Sequence, residues 1–270
     1  MSSRPTLGLI AGSGELPLYF AQAAKQKGYS LITVAIRGAA TKRLTALSDK
    51  ILWISLGQLG SLLSFFKKNN VHRTVMQGKV EHSQVFKNPR MDLKMISLWV
   101  RLKDRSGEGI LKAVAVELQK NGVTLMDSRF LMGDKLARPG WLTRTKATAL
   151  DRETISYGFK KARLLAKLGV GQTLVVKKKA VVAVEGMEGT DETIRRAGIW
   201  AGKETIVLKV ASPHQDWRFD VPTLGLKTIQ SMIKAKARGI VVEAGRTFLL
   251  TNEKTIRLAE KNGIFVLVVS

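Results

Sequence analysis

Short strand-like runs alternating with helices constrain this chain most. Leu7–Ala11, Leu31–Ile36, Ile51–Ser55 and Thr74–Gln77 read as strands. Between the first pair, Leu16, Phe20, Ala23 and Ala24 recur at helical spacing within 15–27, and Gly28 supplies a stop. An amphipathic helix over Leu59–Lys68 separates the last pair. Continuous apolar strands alternating with helices imply a parallel sheet covered on both faces. Two further helices are expected over roughly 92–103 and 109–121.

The periodicity is lost between Gly133 and Ala149, where Pro139-Gly140, threonines and basic residues mark a connection. Beyond it, a helix is expected over 152–168, closed by Gly169. Thr173–Val176 and Ala180–Val184 flank Lys177–Lys179 as a hairpin. Further strands are expected at Ile206–Val210, Gly239–Glu243, Phe248–Thr251 and Ile264–Val269, interleaved with helices near 192–197, 227–236 and 253–261. The expected fold class is α/β in two domains: an N-terminal Rossmann-like parallel sheet over 1–134 and a C-terminal mixed-sheet α/β domain over 151–270. Residues 135–150 are the expected linker. No repeat relates the halves.

At 270 residues and 45% hydrophobic, the chain has enough apolar material for a core, which excludes a disordered basic tail protein. No apolar run approaches the roughly 18–20 residues that span a bilayer. The N-terminus lacks a signal-peptide pattern. The expected location is the cytoplasm. Absence of cysteine excludes disulfides, zinc fingers and thiol nucleophiles. Lys and Arg number 45 against 21 Asp and Glu, a net charge of +24 spread over both halves. Such charge attracts nucleic acid, anionic membrane or phosphorylated substrates, and also serves general solubility.

Gly12-Ser13-Gly14 follows a strand and precedes a helix, where backbone amides and a helix N-terminus hold phosphate. Pro17 stands where a dinucleotide fingerprint needs its third glycine, and Arg37 rather than an acid follows the second strand. A nicotinamide cofactor is therefore not expected. The alternatives are a nucleotide or sugar phosphate at this loop, or a tight turn that packs helix on strand.

Acidic residues concentrate in two stretches of this basic chain: Glu185, Glu188, Asp191 and Glu192, then Asp216 and Asp220. Hard oxygen ligands of this kind suit Mg2+, or Mn2+, together with substrate phosphates. Arg195, Arg196, Lys209 and Arg218 are placed to meet phosphate oxygens. Helix capping and local ion pairing explain the same residues without a metal. Asp220-Val221-Pro222-Thr223 places a carboxylate just ahead of a proline, which favours an extended loop. Glu243 ends a buried strand and suits a site edge or a local ion pair. His72, His82 and His214 have no ligand spacing, and neither a GxSxG elbow nor a Walker pattern occurs.

Taken together, GLIAGSGELP (8–17), GKV (78–80), VEGMEGTDETIRR (184–196), QDWRFDVPTLG (215–225) and VEAGRTFLL (242–250) resemble the LpxI-type UDP-2,3-diacylglucosamine pyrophosphatase family over essentially the whole chain. The resemblance implies a Mg2+-using enzyme of lipid A synthesis that releases UMP and 2,3-diacylglucosamine 1-phosphate from UDP-2,3-diacylglucosamine. It makes Asp220, in the D-x-P-T motif, a catalytic candidate; the charge of a pyrophosphate adds Asp191 beside it and makes Glu188, Asp191, Asp216 and Asp220 the metal candidates. Substrate-binding candidates are Gly12, Ser13, Gly14, Glu15, Leu16, Pro17, Gly78 and Lys79 in the first half. In the second they are Thr190, Arg195, Lys209, Gln215, Arg218, Thr223 and Glu243. Trp99, Trp141, Trp200 and Trp217 are candidates either for an acyl cleft or for the core. The family's acidic segment after the first-domain helix reads Arg105-Ser106-Gly107-Glu108-Gly109 here, leaving only Glu108.

Expected partners are that substrate, an anionic inner-leaflet surface bound peripherally, and a second copy as a homodimer, with no nucleic acid. The alternatives are a basic nucleic-acid-associated binding protein, a hydrolase of another nucleotide-sugar, or an inactive regulatory relative. The basic stretches lack the interleaved aromatics that stack bases.

Overall fold

A computed structural model describes residues 4–79, 91–219, 221–250 and 252–270. They divide into two units, one reaching Gly133 and including residues 216–219, the other holding the rest.

In the first unit the chain order is β1 (Thr6–Ala11), α1 (Leu16–Gln26), β2 (Ser30–Ile36), β3 (Lys50–Ile54), α2 (Leu59–Lys68), β4 (Arg73–Gln77), α3 (Leu93–Arg101), α4 (Gly107–Lys120) and β5 (Thr124–Leu125). All five strands are parallel, in the order β3-β2-β1-β4-β5. The order reverses between β1 and β4, and the loops leaving two such strands diverge to opposite faces. Leu7, Leu9 and Val34 are fully buried, as strands covered on both faces require. Ile10, Ile32, Val34, Phe66, Leu98 and Leu118 share one core. Pro17 lies in the first turn of α1, where its missing N–H costs no helical bond. Asp92 and Ser106 cap α3 and α4 by accepting from Met95 N and Gly109 N.

The second unit contains β6 (Gly140–Trp141), α5 (Ala149–Lys167), β7 (Thr173–Lys177), β8 (Ala180–Val184), α6 (Thr190–Ala201), β9 (Ile206–Lys209), β10 (Thr223–Leu224), α7 (Leu226–Lys234), β11 (Gly239–Glu243), β12 (Phe248–Leu249), α8 (Asn252–Lys261) and β13 (Phe265–Val269). Its main sheet is mixed, ordered β6-β13-β11-β9-β7-β8, with β9, β11 and β13 parallel and β6 and β7 antiparallel to their neighbours. β7 and β8 form the expected hairpin, with Lys178 at φ 51° in its turn. Strands β10 and β12 pair separately.

Several boundaries differ from the sequence expectation. α6 starts at Thr190 rather than near 192, because Gly189 at φ 83° lets the chain turn directly into the helix. α5 starts at Ala149, set by a capping box between Thr148 and Asp151. Within the stretch expected as a linker, Gly140 and Trp141 pair with Val268 and Leu267, and Ala137 N donates to Thr247 O. The strand expected over 248–251 ends at Leu249, and Thr251 lies outside the described residues.

Candidate functional site

In the second unit, β8, β9, β11 and β13 run in one direction, so their carboxyl ends share an edge with the start of β7. Ligands of open α/β sheets bind at such edges. Thr173, Glu185, Lys209 and Glu243 all stand there, and all are buried. Thr190, the first residue of α6, is the hub. Lys209 Nζ donates to its Oγ1 at 2.6 Å, and the hydroxyl donates to Glu185 Oε1 at 3.1 Å. Thr173 Oγ1 lies 3.2 Å from the same hydroxyl. Beside this cluster, Glu243 accepts Ala211 N on Oε2 at 2.7 Å and Arg163 Nε on Oε1 at 2.9 Å. A hollow of about 420 Å³ borders it, with Arg163, Arg246 and Pro213 in its wall.

Two carboxylate oxygens are buried without a partner among the described residues: Glu185 Oε2 and Asp191 Oδ1. Burying an unpaired carboxylate oxygen is costly, so such groups call for a functional explanation. A buried ammonium beside the positive end of a helix favours an anionic ligand group, and open carboxylate oxygens accept from hydroxyls or water.

The other acidic candidates are engaged. Glu188 accepts from Gly186 N, Thr193 Oγ1 and Arg196 Nη2. Its own backbone N–H, with Thr193, Gly186 and Arg196, holds its carboxyl below the usual range. Arg195 pairs with Glu192 on the exposed face of α6. Asp191 Oδ2 lies 3.6 Å from Lys227 Nζ. Asp216, in the first unit, is gripped by Arg218 through Nε at 2.9 Å and Nη2 at 2.7 Å, and the guanidinium lowers its pKa. Asp220 lies outside the described residues.

Of the four carboxylates expected to ligate Mg2+ or Mn2+, Glu188 and Asp191 stand in the second unit and Asp216 in the first. Among the described ones, Glu188 and Asp216 are paired with arginines, and Asp191 has an unpartnered buried oxygen. No group of three or more His, Asp or Glu residues among the described residues is arranged to hold a metal ion.

In the first unit, the Gly12–Gly14 turn and Gly78 meet at the crevice between β1 and β4. Gly12 N donates to Gln77 O, Ser13 N to Lys79 O, and Lys79 N returns to Ser13 O. A Cβ on Gly12 would lie 2.5 Å from Lys79 O, and one on Gly78 would lie 2.3 Å from Ser13 O. Close backbone approach therefore requires both glycines, and two amides expected to cradle phosphate are already bonded. Gly14, at φ 94°, has open space where a Cβ would stand. Glu15 lies 3.9 Å from Arg43, while Leu16 and Pro17 open α1. Val80, the last residue of the GKV motif, lies outside the described residues, as does His82.

Residues 216–219 pack against the turn after β5. Ser128 N donates to Trp217 O, its hydroxyl lies within bonding distance of the carbonyls of Met76, Arg218 and Phe219, and Arg129 stacks 4.0 Å over Trp217. Gln215, in the second unit, accepts from Gln172, and Thr223 donates to Val221 O. Trp99 packs against the first core and Trp141 against Phe265, whereas Trp200 is exposed. Glu108 pairs with Lys112, and Gly109 admits Asp104, whose carboxylate would lie 2.5 Å from an added Cβ.

Sequence reasoning did not single out Thr173 or Arg163 for this edge, nor Glu185 for its hub. Glu185 had a signal: a charge directly after the apolar strand AVVAV, which a buried strand end accepts only with a partner.

The LpxI N-terminal domain family matches residues 6–135, and the LpxI C-terminal domain family matches residues 138–267. A protein of Caulobacter vibrioides named UDP-2,3-diacylglucosamine pyrophosphatase LpxI is 28% identical over 272 residues, covering 97% of this chain and 96% of that one. Among solved structures, an ADP complex of N5-carboxyaminoimidazole ribonucleotide synthetase aligns with 73% of this chain at 13% identity and a TM-score of 0.29. Phosphoribosylglycinamide synthetase from Anaerococcus prevotii aligns with 71% at 14% identity and a TM-score of 0.29. This chain covers 46% and 42% of those two proteins, less than half of either. With both domain families matched in order along its length, the chain belongs to the LpxI family.

Proposed function

We propose that the protein is a UDP-2,3-diacylglucosamine pyrophosphatase of lipid A biosynthesis. The observation that carries this reading is the paired match of both LpxI domain families, which together reach from residue 6 to residue 267. In the proposed reaction, water forms a new bond to the phosphorus on the glucosamine side. The bridging P–O bond breaks, UMP leaves, and a proton of the attacking water passes to a base.

The buried edge of the second unit suits the ligand's charge. A pyrophosphate diester carries two negative charges, and Lys209, backed by Thr190 at the first turn of α6, offers a dry cation to its non-bridging oxygens. The unpartnered oxygens of Glu185 and Asp191 offer acceptors to sugar hydroxyls or to the attacking water. Asp220, in the D-x-P-T motif, is assigned to turnover from the family resemblance. A divalent cation, Mg2+ or Mn2+, belongs to this reading as a requirement to be tested, with no ligand set assigned. The remaining parts of the proposal are a boundary near 135–150 between two domains, peripheral residence at the inner leaflet, and a homodimer.

The test is UMP release from UDP-2,3-diacylglucosamine in detergent micelles, with Mg2+ and with EDTA, for wild type and Asp220→Ala. Release that needs the cation and is lost in the folded variant supports substrate, reaction and residue together. No release by folded wild type overturns the reading, and release undiminished in Asp220→Ala removes that residue from the mechanism.

A further inference from the structure

The outward face of α3 is a continuous apolar stripe. Met95 and Leu98 point into the first core, which leaves the positions three, four and seven apart on the opposite side to Leu93, Ile96 and Val100. Those three side chains are 86%, 45% and 76% exposed. Val116 on α4, 53% exposed, extends the apolar surface. Between α3 and α4 lies a hollow of about 250 Å³, with Leu98, Leu102, Ala113 and Val116 in its walls. A helix apolar on both faces needs cover on the outer one, and a patch of this kind on a chain so charged marks an interaction surface.

The charges around the stripe select the cover. Asp92 and Asp104 serve local caps, Glu108 pairs with Lys112, and buried Glu117 pairs with Arg101 and Lys120. Lys94, Lys103 and Arg105 have no carboxylate within ion-pair distance among the described residues, and Arg105 instead lies 5.5 Å from the centre of the Trp99 ring. A two-fold contact with a second copy would set this cationic rim against itself. Side chains as exposed as Leu93 and Val100 stand proud of the surface and do not form a slot for one acyl chain. An apolar ridge with a basic rim is the pattern of a helix lying in the interface of an anionic bilayer.

The position of α3 fits the same occupant. Its N-terminus is tied to the loop after β3, with Asp92 N donating to Gly57 O and Ser61 N to Asp92 Oδ2. The helix therefore starts at the carboxyl edge of the first sheet, the edge that also carries Gly12–Gly14. We propose that the outer face of α3 seats the protein on an anionic leaflet, Leu93, Ile96 and Val100 entering the headgroup region and Lys94, Lys103 and Arg105 meeting lipid phosphates. The inference rests on the reading of a diacylated substrate, which has to be collected from a leaflet.

The experiment is flotation of the full-length chain with phosphatidylglycerol/phosphatidylethanolamine vesicles, and with phosphatidylcholine vesicles, at low and high salt. Wild type, Leu93→Gln/Val100→Gln, Lys94→Glu/Lys103→Glu and Trp200→Ser are compared, each checked for an unchanged melting curve. Expected are wild-type binding to anionic vesicles that weakens with salt, at least a fivefold loss in each double variant, and no loss in Trp200→Ser. UMP release in micelles should be unchanged in the double variants. Absence of wild-type binding, retention in both double variants, or a loss confined to Trp200→Ser overturns the inference. A wild-type dimer that becomes monomeric in Leu93→Gln/Val100→Gln, with vesicle binding unchanged, assigns the face to a second copy instead. If micellar release fails in wild type while vesicle binding still depends on α3, the surface stands and the proposed activity falls.

Discussion

Both units present the carboxyl edge of a parallel set of strands, yet they finish that edge differently. In the first, main chain meets main chain: Gly12, Ser13, Gln77 and Lys79 exchange backbone hydrogen bonds, and glycines at 12 and 78 permit the approach. In the second, buried side chains fill the edge, with Lys209, Thr190 and Glu185 in one chain of hydrogen bonds and Glu243 bracing Arg163 and Ala211 beside it. A backbone closure fixes shape and tolerates no added atom. A side-chain network stores charge in a dry place, and reaction chemistry needs charge. A glycine-rich turn after a first strand is therefore weak evidence for phosphate binding until its amides are accounted for.

Substitution at Gly78 should produce the largest effect. Alanine there would have to adopt φ near 86° and place its Cβ 2.3 Å from Ser13 O. Strain of that kind together with overpacking should cost on the order of 4 kcal/mol. Urea unfolding would measure the loss, and hydrogen exchange would assign it to β1 and β4. A Gly78→Ala protein of wild-type stability would show that the two loops separate easily, and the contrast between rigid backbone and charged side chains would fail.

Next is Lys209→Met, which keeps much of the side-chain volume and removes the charge. If this ammonium holds developing charge in the transition state, kcat/KM for UMP release should fall at least a hundredfold. Gly14→Ser, whose Cβ position is open but whose φ of 94° adds backbone strain, should change the rate far less once its loss of stability is allowed for. Equal losses in the two variants would place the chemistry at both edges alike.

Glu243→Gln tests the brace. The carboxylate accepts from one backbone and one guanidinium donor, and an amide can present an acceptor to only one of them as well. Charge-assisted bonds in a buried place imply a loss of about 2 kcal/mol, read from denaturant midpoints. A loss below 0.5 kcal/mol, on the order of an ordinary surface substitution, would mean that Arg163 and Ala211 find other partners.

Much of the fold was legible because the strongest signals were local. Leu59–Lys68 and Gly239–Glu243 could be bounded to the residue, one by its helical stripe and its exit into Asn69-Asn70, the other by an unbroken apolar run. The two-residue strands β5, β6 and β10 carry no periodicity, since pairing with distant partners defines them. The early start of α6 depended on the left-handed geometry at Gly189, which the neighbouring acids obscured. At the site, Lys209, Thr190, Asp191 and Glu243 could be named from motifs. Arg163 could not, because its partner lies 80 positions away on another element. Sequence proximity also does not reveal that Arg196 pairs with Glu188 and Arg218 with Asp216, since only the folded geometry sets those contacts.

The smallest effect sharpens the comparison from the acid side. Asp216 belongs to the first unit, and Arg218 holds its folded pKa below the usual 3.8. A depressed carboxylate contributes stability that is present above its unfolded pKa and lost as pH falls through the folded value. The contribution of Asp216 should therefore be complete at neutral pH, begin to fade near pH 4, and be gone at more acid values. With the pair partly exposed, its worth is about 1 kcal/mol at most. Asp216→Asn should lower the melting temperature slightly at pH 7 and flatten the decline below pH 4, as followed by thermal melts between pH 2 and 7. Glu243→Gln should by contrast lower the curve by more at neutral pH, because its carboxylate is buried in the second unit. Identical curves for Asp216→Asn and wild type would show that Arg218 holds the 216–219 turn without help from the charge, leaving Ser128 and its backbone contacts to fix that segment.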